Sequence, residues 1–137
     1  MPPLVLGLAL AVGAPALKDK PAPSLLGEWV PEGVTVGGRP STPGADRWVF
    51  RADGTYALYA QGARLDGGDV TGDVGKVGGA LDLAGGNRGP TANLCRFRVD
   101  GDTLTLSVGH CRAGRPAGLE PGPKVTVWVM RRVKPEK

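Results

Sequence analysis

Alternation of apolar and polar residues is strongest from Cys95 to Val108. Apolar side chains fall at Cys95, Phe97 and Val99, then at Leu104, Leu106 and Val108. A period of two is the mark of a half-buried strand. Asp100-Gly101 lies between the two runs. That dipeptide tolerates the positive φ angles of a two-residue hairpin turn. A turn centred there pairs Phe97 with Leu104 and Cys95 with Leu106, with one face apolar throughout. A slip of one residue would turn apolar side chains to water, so the pattern specifies the register. A lone hairpin is marginal in water, and more sheet must cover this face.

Arg47 to Ala60 carries the same pattern around Asp53-Gly54. A two-residue turn would pair Phe50 with Ala57. A three-residue turn, with Gly54 left-handed, pairs Phe50 with Tyr56 and Trp48 with Leu58. The second collects Trp48, Phe50, Tyr56, Leu58 and Ala60 on one face, and is preferred because it buries more apolar area. Lys124 to Val133 is the longest β-run. Val125, Val127 and Val129 share one face, and Thr126, Trp128 and Met130 the other. Both faces are largely apolar, so part of this strand is expected to be covered on both sides.

Leu25 to Val36 opens the domain. Trp29 beside Leu26 and Val30 reads as a core anchor, and Pro31 and Gly33 mark a bend or bulge. Gly37 to Pro40 reads as a turn and Ser41 to Asp46 as loop. Gln61 to Gly79 is rich in Gly and Asp. It reads as turns, with a weak strand pair around Val70, Val74 and Val77. Ala80 to Leu83 is a short strand in which Asp82 faces solvent. Residues 84–93 read as a Gly-Pro loop and 112–123 as an irregular connection. No helix is expected after residue 25.

The apolar run Leu4–Val12, followed by Ala14-Pro15-Ala16, has the form of a secretory signal in residues 1–16. It is too short for a stable membrane span. Residues 17–24 are a Pro-rich linker, and 25–134 form one domain. The 23 Gly and 13 Pro residues favour short strands and turns over helices. Export, periplasmic or extracellular, makes a disulfide reasonable for the two cysteines, Cys95 and Cys111. Cys95 faces Leu106 in the register above, so a bridge needs the chain to fold back after Val108, as Gly109 permits. Two small buried thiols are the alternative.

The net charge is +4, but Arg and Lys are scattered except near the C-terminus. This is not the aromatic-lined basic face of a nucleic-acid binder. His110 is the single histidine, and it neighbours Cys111 in sequence. Adjacent strand residues point to opposite faces, which disfavours a Cys-His pair. Asp66, Asp69 and Asp73 lack the spacing of a calcium loop. Gly72 to Lys76 lacks the first Gly and the final Ser or Thr of a phosphate loop. No catalytic residue, metal site or cofactor is expected.

Several segments occur together in order. They are Leu26-Gly27-Glu28-Trp29, Gly37-Gly38-Arg39-Pro40, Trp48-Val49-Phe50 with Asp53-Gly54-Thr55-Tyr56, and Leu81-Asp82-Leu83. Val99 to Leu106, Gly114-Arg115-Pro116 and Met130 to Lys134 complete the set. Over residues 24–134 the chain resembles a lipocalin-like domain family of unknown function, abundant in planctomycete bacteria. It departs from that pattern at Ala117-Gly118-Leu119-Glu120. The resemblance implies an all-β fold, a single antiparallel meander barrel of about eight strands, in an exported protein. It carries no catalytic residues. A barrel of that size can hold one small ligand or be filled by its own side chains. The candidate interior is Trp29, Trp48, Phe50, Tyr56, Leu58, Phe97, Leu104 and Leu106. A non-enzymatic domain binding a small hydrophobic ligand is one expectation. A structural or protein-interaction module with a filled core is the other.

Overall fold

A computed structural model describes residues 24–72, 74–85, 92–110 and 114–133. The signal-like segment, most of the linker and Cys111 lie outside these residues. The strands are β1 (Gly27–Val36), β2 (Arg39–Ser41), β3 (Arg47–Phe50), β4 (Thr55–Ala60) and β5 (Ala63–Gly72). They continue with β6 (Gly78–Ala84), β7 (Asn93–Asp100), β8 (Thr103–Gly109) and β9 (Val125–Arg132). The order is β2-β1-β3-β4-β5-β6-β7-β8-β9, and β1 also pairs with β9. Every pairing is antiparallel, so eight strands close into a barrel and β2 is an extra flap. No helix occurs among the described residues. The meander barrel expected from the sequence is the observed fold.

β1 serves three neighbours. Gly27–Trp29 pair with β3, Val34–Val36 pair with β2, and β9 runs along the opposite edge. The register on β9 shifts between Pro31 and Gly33. Glu32 is the extra residue of this bulge, which lets Trp29 and Val34 both enter the core despite their odd spacing.

The β3–β4 hairpin has the preferred three-residue turn. Phe50 pairs with Tyr56 and Trp48 with Leu58, and Gly54 has a φ of 87°. The β7–β8 hairpin differs from expectation. Cys95 pairs with Val108, Phe97 with Leu106 and Val99 with Leu104, so the turn is Gly101-Asp102. Gly101, at φ 62°, takes the first central position, the place a type II′ turn gives to glycine. Moving the turn by one residue shifts each pair by two, which leaves the apolar face intact.

The middle of the chain also departs from expectation. Ala63–Gly72 is a ten-residue strand rather than a set of turns. β6 begins at Gly78, and Val77 is exposed. Arg39–Ser41 pairs with β1, so the turn before it is only Gly37-Gly38. The glycines of β5 sit where strands approach closely. A Cβ on Gly67 would lie 2.6 Å from the Tyr56 carbonyl oxygen, and one on Gly72 would lie 2.5 Å from that of Ala80.

The core joins Leu25, Trp29, Trp48, Phe50, Tyr56, Leu81, Leu83, Phe97, Leu104, Leu106 and Met130, with Leu58 and Trp128 packed against it. Arg132 seals the end where β1 begins. Its guanidinium donates to the carbonyls of Leu26 (3.0 Å) and Ser24 (2.9 Å) and lies 4.3 Å from the Trp29 ring centroid. The Val133 N–H donates to the Glu28 carbonyl at 2.9 Å, so first and last strands meet at this seam.

The connection after β8 lies on the outside of the wall. Arg115 donates to the carbonyls of Leu81 (3.0 Å) and Cys95 (2.8 Å) and to Asp82 Oδ1 (2.7 Å). Asp82 therefore faces outward but is paired rather than left to solvent. Arg96 Nε donates to the Pro116 carbonyl at 2.7 Å, and the buried Ser107 hydroxyl donates to that of Gly118 at 2.9 Å. Val127, on the outer face of β9, is buried in a groove shared with Leu119 and Pro121. The expected double cover of β9 thus arises from this strap and from the core.

Candidate functional site

The sequence-predicted interior residues do converge. Trp29, Trp48, Phe50, Tyr56, Phe97, Leu104 and Leu106 are buried in one cluster, and Leu58 is partly buried against it. Alternation on β3 and β4 aims Trp48, Phe50, Tyr56 and Leu58 inward. Trp48 stacks with Phe50 at 5.8 Å and Tyr56 at 6.3 Å, and meets Trp128 edge-on at 5.1 Å. Such pairs add about 0.5–1.5 kcal/mol each beyond area burial. The Trp48 indole N–H is buried and has no hydrogen-bond acceptor among the described residues.

Among the described residues the chemistry-bearing side chains do not form a reactive cluster. His110 Nε2 is 3.0 Å from Thr126 Oγ1. Cys95 is buried and its thiol donates to the Asn93 carbonyl at 3.5 Å. Its pairing with Cys111 falls outside the described residues. Among the described residues no group of three or more His, Cys, Asp or Glu could hold a metal ion. No helix among them is long and apolar enough to cross a membrane.

The outer wall offers a site that the sequence reading missed. The residues alternating with Trp48 and Phe50 are Arg47, Val49 and Arg51, which face out. With Glu28 and Val30 of β1 and Tyr59 of β4 they line a groove of about 730 Å³. Arg47 Nη1 is 2.8 Å from Glu28 Oε1, and Arg51 Nη2 donates to the Tyr59 hydroxyl at 3.1 Å. Asp46 ties down one rim. Its N–H donates to the Tyr59 carbonyl and its carboxylate accepts the Gln61 N–H, both at 2.8 Å. Gln61, at φ 54°, and Gly62, at 82°, form the β4–β5 turn. Gln61 is the one non-glycine residue with positive φ among the described residues. The signal was present as the polar half of the β3 alternation.

The Asp53 carboxylate, beyond the end of β3 away from Asp46, is perturbed. The Thr55 hydroxyl donates to Asp53 at 2.6 Å, and this bond, with the Thr55 N–H and the Arg51 charge, holds the carboxyl below its ordinary value. Comparison with protein families, curated proteins and solved structures finds no match.

Proposed function

We propose that the protein is a non-enzymatic, lipocalin-like recognition module, exported from a bacterial cell, whose barrel interior is packing and whose working surface is the outer wall. The observation that carries this reading is the ring stack of Trp48, Phe50, Tyr56 and Trp128 across the core. This packing of rings supports a barrel filled by its own side chains. Export rests on the apolar run Leu4–Val12 and the small residues that follow it.

A second reading keeps a small hydrophobic ligand inside the barrel. It is favoured by the Trp48 indole N–H, which a ligand oxygen would satisfy. Thermal denaturation with fatty acids, haem and small aromatics separates the two. A ligand at 100 times its dissociation constant adds about 2.7 kcal/mol. The outer-wall reading expects no rise in Tm with any of them. A saturable rise overturns it in favour of the barrel ligand.

A further inference from the structure

We infer that the groove over β1, β3 and β4 binds a neutral, linear saccharide, an inference that rests on the outer wall being the working surface. Its apolar lining comes from Val30, Val49 and Tyr59. Its charged lining is Glu28, Asp46, Arg47 and Arg51, whose formal charges sum to zero. A sugar ring has matching parts: an apolar C–H face and a rim of hydroxyls that both donate and accept.

Charge balance selects against ionic ligands. An anion approaching Arg47 meets Glu28 at once, because the two are already paired at 2.8 Å. A cation approaching Glu28 meets Arg47. A hydroxyl can donate to the carboxylate and accept from the guanidinium without breaking that pair. The pair is open to such a ligand, with 43% and 48% of the two side chains exposed.

Size and shape favour a chain over a single ring. The groove lies within the range of ligand sites, roughly 300–1,000 Å³. Past Val30 and Arg47 it adjoins a second pocket of about 410 Å³, lined also by Asp102, Arg131, Arg132 and Val133, where Arg131 is paired with Glu32 at 3.0 Å and Arg132 lies 3.8 Å from Asp102. The walls are also set in place before binding. Arg51 is held on the Tyr59 hydroxyl, and Asp46 on the Gln61 N–H. Groups fixed in advance lose less freedom when a ligand arrives.

The test is titration of the ¹⁵N-labelled chain with cellotetraose, maltotetraose and chitotetraose at millimolar concentration. The expected result is a saturable shift with at least one of them at Val30, Val49 and Tyr59. Tyr59→Ala is expected to weaken that binding about tenfold. Tyr59→Phe keeps the ring and most of the affinity. Leu119→Ala, on another part of the wall, leaves it unchanged. Absence of saturable shifts with all three sugars, or shifts elsewhere, overturns the inference. If polyglutamate binds in the groove and the sugars do not, the saccharide class is wrong and the outer-wall reading survives. Binding of an apolar ligand in the barrel instead removes the outer-wall reading itself.

Discussion

Arg115→Ala removes the guanidinium that pins the β8–β9 connection to the wall. Three acceptors lose their donor: the Leu81 carbonyl at 3.0 Å, the Cys95 carbonyl at 2.8 Å and Asp82 Oδ1 at 2.7 Å. Buried hydrogen bonds to a charged group contribute about 1.5–3 kcal/mol each. The side chains of Arg115 and Asp82 are 28% and 34% exposed, so solvent screens the ion pair to under about 1 kcal/mol. Exposure lowers the two carbonyl bonds as well, toward about 1 kcal/mol each. The expected loss is about 2–3 kcal/mol, or a fall in Tm of about 8–12 °C for a domain of this size. Urea denaturation checks it, with the midpoint moving and the slope m unchanged. Arg115→Lys keeps the charge, but one ammonium cannot span three acceptors, so it loses about half as much. A cycle with Asp82→Ala yields a coupling under about 1 kcal/mol. A loss below about 0.5 kcal/mol in Arg115→Ala would refute the view that this residue holds the strap.

Leu106→Ala, at a fully buried core position, is expected to cost about 3–5 kcal/mol in chemical denaturation. Gln61→Asn places a residue more tolerant of positive φ beside Gly62, and is expected to raise stability by about 0.5 kcal/mol as a higher Tm; a lower Tm contradicts the strain at Gln61. The Asp53 carboxyl is held below 3.8 by the Thr55 hydroxyl. Its contribution is therefore present above the unfolded pKa and is lost as pH falls through the folded one. Stability of Asp53→Asn, followed by acid titration, should vary less than that of the parent below about pH 4.

Where side chains are large, the sequence decided between registers. At β3–β4, only the pairing of Phe50 with Tyr56 puts Trp48, Phe50 and Tyr56 on one face, and that pairing is observed. At β7–β8 both turn positions keep Cys95, Phe97, Leu104 and Leu106 on one face, so alternation could not choose between them. A turn at Asp100-Gly101 would need a positive φ at Asp100, whereas Gly101-Asp102 places that angle, 62°, on the glycine. β5 was hidden because glycines stand in it where apolar residues would mark a strand. Gly67 and Gly72 are required by neighbouring carbonyls, a contact between distant segments that local pattern does not encode. The interior residues were readable as a set. The groove was not, since Glu28, Arg47 and Tyr59 meet only once β1, β3 and β4 are side by side. Arg115 gave no local sign that it would cross the strap to Asp82.

The seam between β1 and β9 has a consequence for synthesis. The segment that completes the ring is Val125–Arg132, and its partner, Gly27–Val36, emerges first. While the nascent polypeptide lengthens, both outermost edges stay unsealed, and hydrogen bonding around the circumference finishes only when the final strand is released. Joining such sequence-distant partners slows folding. The same delay leaves the wall unclosed for as long as the polypeptide is being made.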